Sequence, residues 1–168
     1  MISQLIHSKA KKIVKQAETR NPFKIAGQLG IHVMFRHDFI GLKGMYKVIS
    51  RNRFIFINSQ LDEYEQCVIC AHELGHDALH REIATTHFET ALYDTRNRIE
   101  YEANAFAAGI LISDDMILEL MAEGFDESGI ASSLNVSVDL LLIKLGEMNR
   151  RGYDFELSRV GRGDFLRL

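Results

Sequence analysis

An α+β fold is what three features of this 168-residue chain predict. Helical periodicity opens it, three short extended runs occupy residues 31–58, and helical periodicity returns from residue 59 onward. Helices, then strands, then helices is the order of an α+β domain. The expected architecture is a small antiparallel sheet packed on one helix of the second group, with a helical C-terminal part.

Each element has its own signal. Ile2, Leu5, Ile6, Ile13, Val14 and Ala17 recur at helical spacing, with Lys9, Lys11, Lys12 and Lys15 between them, which makes an amphipathic first helix. Asn21 before Pro22 starts the next one, because proline at the first helical position gives up a donor that has no partner there anyway, and Gly30 closes it. IHVMFR follows as a strand. Gly41 and Gly44 then punctuate two further extended runs, MYKVIS and RFIFIN, joined at Arg51-Asn52. In the second run Phe54 and Phe56 share one face and Ile55 and Ile57 the other. From Ser59, the expected N-cap, to His80 the pattern is helical. Another helix runs from about Arg98 to Ile112. Ser113 caps the next, which ends at Gly124, and two shorter helices cover about Glu127 to Leu134 and Val138 to Asn149.

Composition excludes several function classes. With one Pro and 46% hydrophobic residues the chain is no disordered linker, and its length buries a core without disulfides. Twenty Lys and Arg against 23 Asp and Glu give a net charge of −3, so nothing drives the whole molecule toward nucleic acid or an anionic membrane. No apolar run approaches the roughly 20 residues that span a bilayer, and the lysine-rich N-terminus is no secretion signal. A cytoplasmic protein is expected, consistent with two cysteines, Cys67 and Cys70, in a reducing compartment.

The chemistry is concentrated in His72-Glu73-Leu74-Gly75-His76. On a helix the two histidines differ by about 40° in direction and about 6 Å along the axis, so both imidazoles reach one ion. Glu73 lies about 100° round, off the chelate and within reach of a water on the ion's open side. A shuffled chain of this composition would show the pattern about 0.02 times. A catalytic zinc site needs a third protein ligand. The following helix offers Glu100 and Glu102, about 200° apart; Glu100 shares a face with Asn104, Ala107, Ala108 and Leu111, small enough to pack closely on the histidine helix, and Glu102 is expected to face outward. Asn104, on the same face as Glu100, is placed to hold the tautomer of a ligating histidine.

AHELGHDALH, preceded by IFIN and followed by the E-x-E-A-N-x-F-A-A segment, resembles the ImmA/IrrE family of zinc metallopeptidases, as do NPFKIAGQLGIHV and IASSLNVSVDLLLIKL at the two ends. The resemblance implies a gluzincin-like fold with His72, His76 and Glu100 as zinc ligands and Glu73 as general base. It also implies the substrate, a helix-turn-helix repressor of a mobile element or stress regulon, encoded nearby. One departure is LISD after the third-ligand helix, where the family commonly ends with a proline. The whole chain, 1–168, is then one metallopeptidase domain: 1–112 the zinc-binding catalytic core, 113–149 a helical, helix-turn-helix-like element, 150–168 a tail. An edge strand within Met45 to Ser50 is expected to hold substrate by backbone pairing.

Other features carry less. Cys67 and Cys70 point away from His72 and are expected on a buried apolar face. His80 is either a group beside the site or an exposed histidine, and His87 or Tyr93 is an equally good oxyanion donor. His7, His32 and His37 form no pattern. The helix-turn-helix look of residues 129–145 allows a second function, a DNA- or partner-binding regulator without proteolysis. Its second helix carries only Lys144 before its end and is otherwise apolar, so direct nucleic-acid binding is not expected.

Overall fold

A computed structural model describes the backbone of residues 2–84 and 93–157 and the side chains of 2–82 and 98–157. The described elements follow the order α1 (Ile2–Ala17), α2 (Pro22–Gln28), β1 (Ile31–Arg36), β2 (Gly44–Ile49), β3 (Asn52–Asn58), α3 (Glu63–Ala84), α4 (Tyr93–Leu111), α5 (Asp114–Ala122), α6 (Glu127–Ser133) and α7 (Val138–Asn149). The α+β class stands. At α2 the local signals act as the sequence suggests: the Asn21 side chain accepts the Lys24 N–H at 3.0 Å to cap it, and Gly30 ends it at φ +69, whereas Ser113 stands at the start of α5 without a capping side-chain bond. Helix α3 starts later than expected, because Ser59 bonds back to Arg36 O and Asp62 caps instead, accepting the Glu65 N–H at 2.7 Å.

The sheet order is β1-β3-β2. β2 pairs antiparallel with β3, Tyr46 opposite Ile55, whereas β1 pairs parallel with β3, Ile31 opposite Arg53. The sheet is therefore mixed where an antiparallel one was expected: β3 inserts between its predecessors, so the chain enters it in the direction of β1. The β2–β3 turn falls on Ser50 and Arg51, at φ +49 and +67, the primed geometry that matches strand twist. Ile55 and Ile57 are fully buried toward the helices, and Phe54 and Phe56 stack on the other face with centroids 5.8 Å apart.

Helix α4 is the hub of the helical part, packed by α1, α3 and α7. Residues 102–108 are all buried, a run possible only when neighbours surround a helix on nearly every side.

Helix α7 is buried over Leu140, Leu141, Leu142, Ile143 and Leu145. Its cation, Lys144, is buried as well, with Nζ 2.5 Å from Asp114 Oδ1; Arg151 Nη1 takes Oδ2 at 2.7 Å. Among its residues only Val138 and Asp139, at the start, are exposed, which argues against α7 as a DNA-reading helix. Burial would raise the Asp114 carboxyl, but the Arg151 hydrogen bond and the Lys144 charge outweigh it and hold the group down at about 2. A depressed carboxylate stabilises the fold fully above its unfolded value near 4, and the contribution is lost as pH falls toward 2. Asp114→Asn is expected to remove roughly 2 kcal/mol at neutral pH and to flatten the fall of Tm between pH 4 and 2, followed by circular dichroism. An unchanged acid limb would refute this.

No single described helix is long and apolar enough to cross a membrane.

Candidate metal centre

Helix α3 carries His72, Glu73 and His76 on the side facing β2 and α4, and α4 brings Glu100 across to them. His72 Nε2 lies 3.0 Å from His76 Nε2 and 3.2 Å from Glu100 Oε2, and His76 Nε2 lies 3.5 Å from Glu100 Oε1. One ligand atom from each of the three residues falls within 4.8 Å of the others. Two imidazole nitrogens and a carboxylate turned to one point form a donor set that fits a divalent ion such as zinc, with a fourth position to spare. The cluster opens on one side: the His72 side chain is 6% exposed and that of Glu100 47%.

The surroundings prepare the donors. His72 Nδ1 is 2.7 Å from Asn104 Oδ1, a carbonyl oxygen that only accepts, so Nδ1 carries a proton and Nε2 is the nitrogen turned to the cluster. This is the contact expected of Asn104. Burial alone would raise the Glu100 carboxyl, but hydrogen bonds from both imidazoles hold it well below the usual carboxylate range. Burial would likewise lower His72, and the Glu100 hydrogen bond outweighs it and raises the group. Glu73 is not in the donor set. It is buried beside it, its carboxyl raised by desolvation and pulled back in part by the two histidines and by the Tyr46 backbone N–H that it accepts.

Close approach of the two helices depends on Gly75. A Cβ there would lie 2.9 Å from Ala103 Cα and 3.0 Å from Ala103 O, so glycine lets α4 sit backbone to backbone on α3. That crossing lies level with the donors. Glu102, expected outward, is buried instead: its Oε1 accepts Arg98 Nε at 2.7 Å and its Oε2 lies 3.5 Å from His80 Nε2. The expectation failed because α4 has no outward face at that level. His80 is buried too, at a kink in α3 (φ −130, ψ 17), and its Nε2 has no hydrogen-bond partner among the described residues.

Sequence reasoning missed Asp77. Buried directly after His76, it accepts Tyr46 Oη at 2.7 Å, Arg53 Nη1 at 2.9 Å and Arg81 Nη2 at 2.8 Å, and the Arg53 guanidinium also reaches Leu29 O. This hub ties β2 and β3 to α3. Arg81, one helical turn on, was the only part visible locally. Cys70 is buried and Cys67 half-buried, both away from the cluster, and burial pushes both thiols up. His32 stacks on Phe54 with centroids 5.1 Å apart, and His7 Nδ1 comes within 3.9 Å of Asp114. His87 and the side chain of Tyr93 lie outside the described residues.

Three similarities bear on this geometry. A family model described as the IrrE N-terminal-like domain matches residues 16–146. "Uncharacterized immunity region protein 2" of Bacillus phage phi105 is 31% identical over 140 residues, 83% of this chain and 89% of that protein. "Metallopeptidase ImmA" of Bacillus subtilis (strain 168) is 28% identical over 166 residues, 95% of this chain and 96% of that protein.

Proposed function

Because the chain belongs to the IrrE N-terminal-like family and is a metallopeptidase, we propose that it is a zinc endopeptidase that cleaves a helix-turn-helix repressor in the cytoplasm and so relieves repression. The observation that carries this is the convergence of His72, His76 and Glu100 on one point, with a buried carboxylate outside the donor set beside them. The immunity-region name of the phage relative supports a mobile-element repressor, encoded nearby, as the substrate.

In this reading His72, His76 and Glu100 hold the ion and Asn104 keeps the His72 tautomer. Zinc, when bound, supplies Lewis acidity, which polarises a peptide carbonyl and makes water a better acid. Glu73 takes the proton from the attacking water and later hands it to the leaving amine. Its burial suits both steps, since a carboxyl raised above its ordinary value is a stronger base and a more available acid. β2 lies at the edge of the sheet, where an extended peptide pairs with backbone, and the open Glu100 side leaves room for it. Residues 113–149 serve as a packing or substrate-docking element of the same unit.

The test combines metal analysis with co-expression. Purified protein is expected to hold one zinc per chain, lost in His76→Ala, and the repressor encoded beside it is expected to be cut by wild type only. Protein that takes up no stoichiometric metal even when zinc is supplied would sink the enzyme reading. A zinc-loaded protein that leaves the repressor intact would sink the substrate.

A further inference from the structure

Gly44 opens β2, and there the strand lies close against α3. A Cβ built on it would overlap Ile69 Cγ2 and lie 3.2 Å from Glu73 Oε1 and 3.3 Å from Phe56 O. Gly44 is not among the residues with positive φ, so glycine supplies room here and not backbone freedom. Two residues on, and therefore on the same face of the strand, Tyr46 presents two groups to α3. Its backbone N–H faces the Glu73 carboxylate and helps to pull that group's pKa down, and its hydroxyl donates to Asp77 Oδ1 at 2.7 Å, one helical turn further along. The Glu73 carboxylate thus lies in a slot whose wall is the bare backbone of β2.

We propose that Gly44 is a positioning residue for peptide hydrolysis: its missing side chain lets the Glu73 carboxylate lie flush against β2 and accept the Tyr46 N–H, which fixes the direction in which Glu73 works. The proposal rests on Glu73 being the base. A methyl group at Gly44 competes with Oε1 for the slot, and a displacement of about 1 Å in a reacting group costs about 10²-fold in rate.

Gly44→Ala alone confounds two effects, since it also strikes Ile69. Ile69→Ala removes Cγ2 and leaves the 3.2 Å approach to Glu73 untouched. The informative comparison is therefore the double variant, Gly44→Ala with Ile69→Ala, against Ile69→Ala, both as zinc-loaded full chains. The readouts are zinc content, Tm, kcat and KM on a dye-quenched peptide spanning the site that wild type cuts, and hydrogen exchange of the Tyr46 amide. The double variant is expected to match Ile69→Ala in zinc content and Tm, to lose about 10²-fold in kcat with KM changed less than about threefold, and to exchange the Tyr46 amide at least about tenfold faster. If it matches Ile69→Ala in both kcat and Tyr46 exchange, Gly44 serves only Ile69 packing and the proposal is overturned. Glu73→Gln, run alongside, keeps the two ideas apart. Wild-type kcat in that variant removes the base assignment, while accelerated Tyr46 exchange in the double variant still assigns the carboxylate contact to Gly44.

Discussion

Glu73→Gln is expected to lower kcat about 10³-fold with the metal content of the protein unchanged. Positioned acid–base groups contribute about 10²–10⁴-fold, and Glu73 is proposed to move a proton in both halves of the reaction, which puts the loss well inside that range. Glutamine keeps the shape of the side chain and an oxygen for the Tyr46 N–H, while the proposed ligands, His72, His76 and Glu100, are unaltered. Stability moves the other way. A buried carboxylate carries a desolvation cost that a neutral amide does not, so Tm is expected to hold or rise. Zinc analysis, a thermal melt and single-turnover cleavage of the repressor together decide the matter. A kcat within about threefold of wild type would remove Glu73 from the mechanism.

Gly75→Ala is expected to weaken metal binding at least about tenfold while costing only about 1–2 kcal/mol of stability. Two effects oppose each other. Alanine favours an exposed helix interior over glycine by about 1 kcal/mol, and overpacking a close contact costs about 1–3 kcal/mol. Overpacking wins here because the obstacles 2.9 and 3.0 Å from the new methyl are backbone atoms of Ala103, which move only if α4 moves. Glu100 and Asn104 ride on α4, one turn before and one residue after Ala103, so the displacement reaches a proposed ligand and the group that orients another. Competition with a chelator measures the affinity. Wild-type affinity with the helices in place would show that the crossing distance does not govern the cluster.

The parts of the site that were legible in the sequence lie along single helices. His72, Glu73 and His76 follow from the pitch of α3, and Asn104 and Glu100 from the shared face of α4, because helical geometry turns spacing into direction. Strand pairing has no such rule, and whether β1 joins β3 parallel or antiparallel is settled by where the connection crosses, not by any residue in IHVMFR. Glu102 was misplaced for a related reason. Periodicity gives the angle between two side chains but not how many neighbours surround the helix, and α4 is enclosed by α1, α3 and α7. The Asp77 hub joins Tyr46, Arg53, Asp77 and Arg81 from three elements, and no local pattern announces it. Gly44 and Gly75 work by the space they leave, which becomes visible only once the facing element is known.

The three donors are divided between two helices, α3 and α4. Tyr46 reaches Asp77 across 31 residues of chain and His72 reaches Asn104 across 32, so the two closures that frame the site span nearly equal lengths of chain. Glu100 arrives on a different helix, so the three-residue donor set is complete only after α4 has docked. An ion that prefers the complete set adds RT ln(1 + [M]/Kd) to the stability of the docked state alone, about 1.4 kcal/mol for each tenfold excess. The supply of metal then acts on how long α3 and α4 stay together, and through that on how long the protein survives proteolysis.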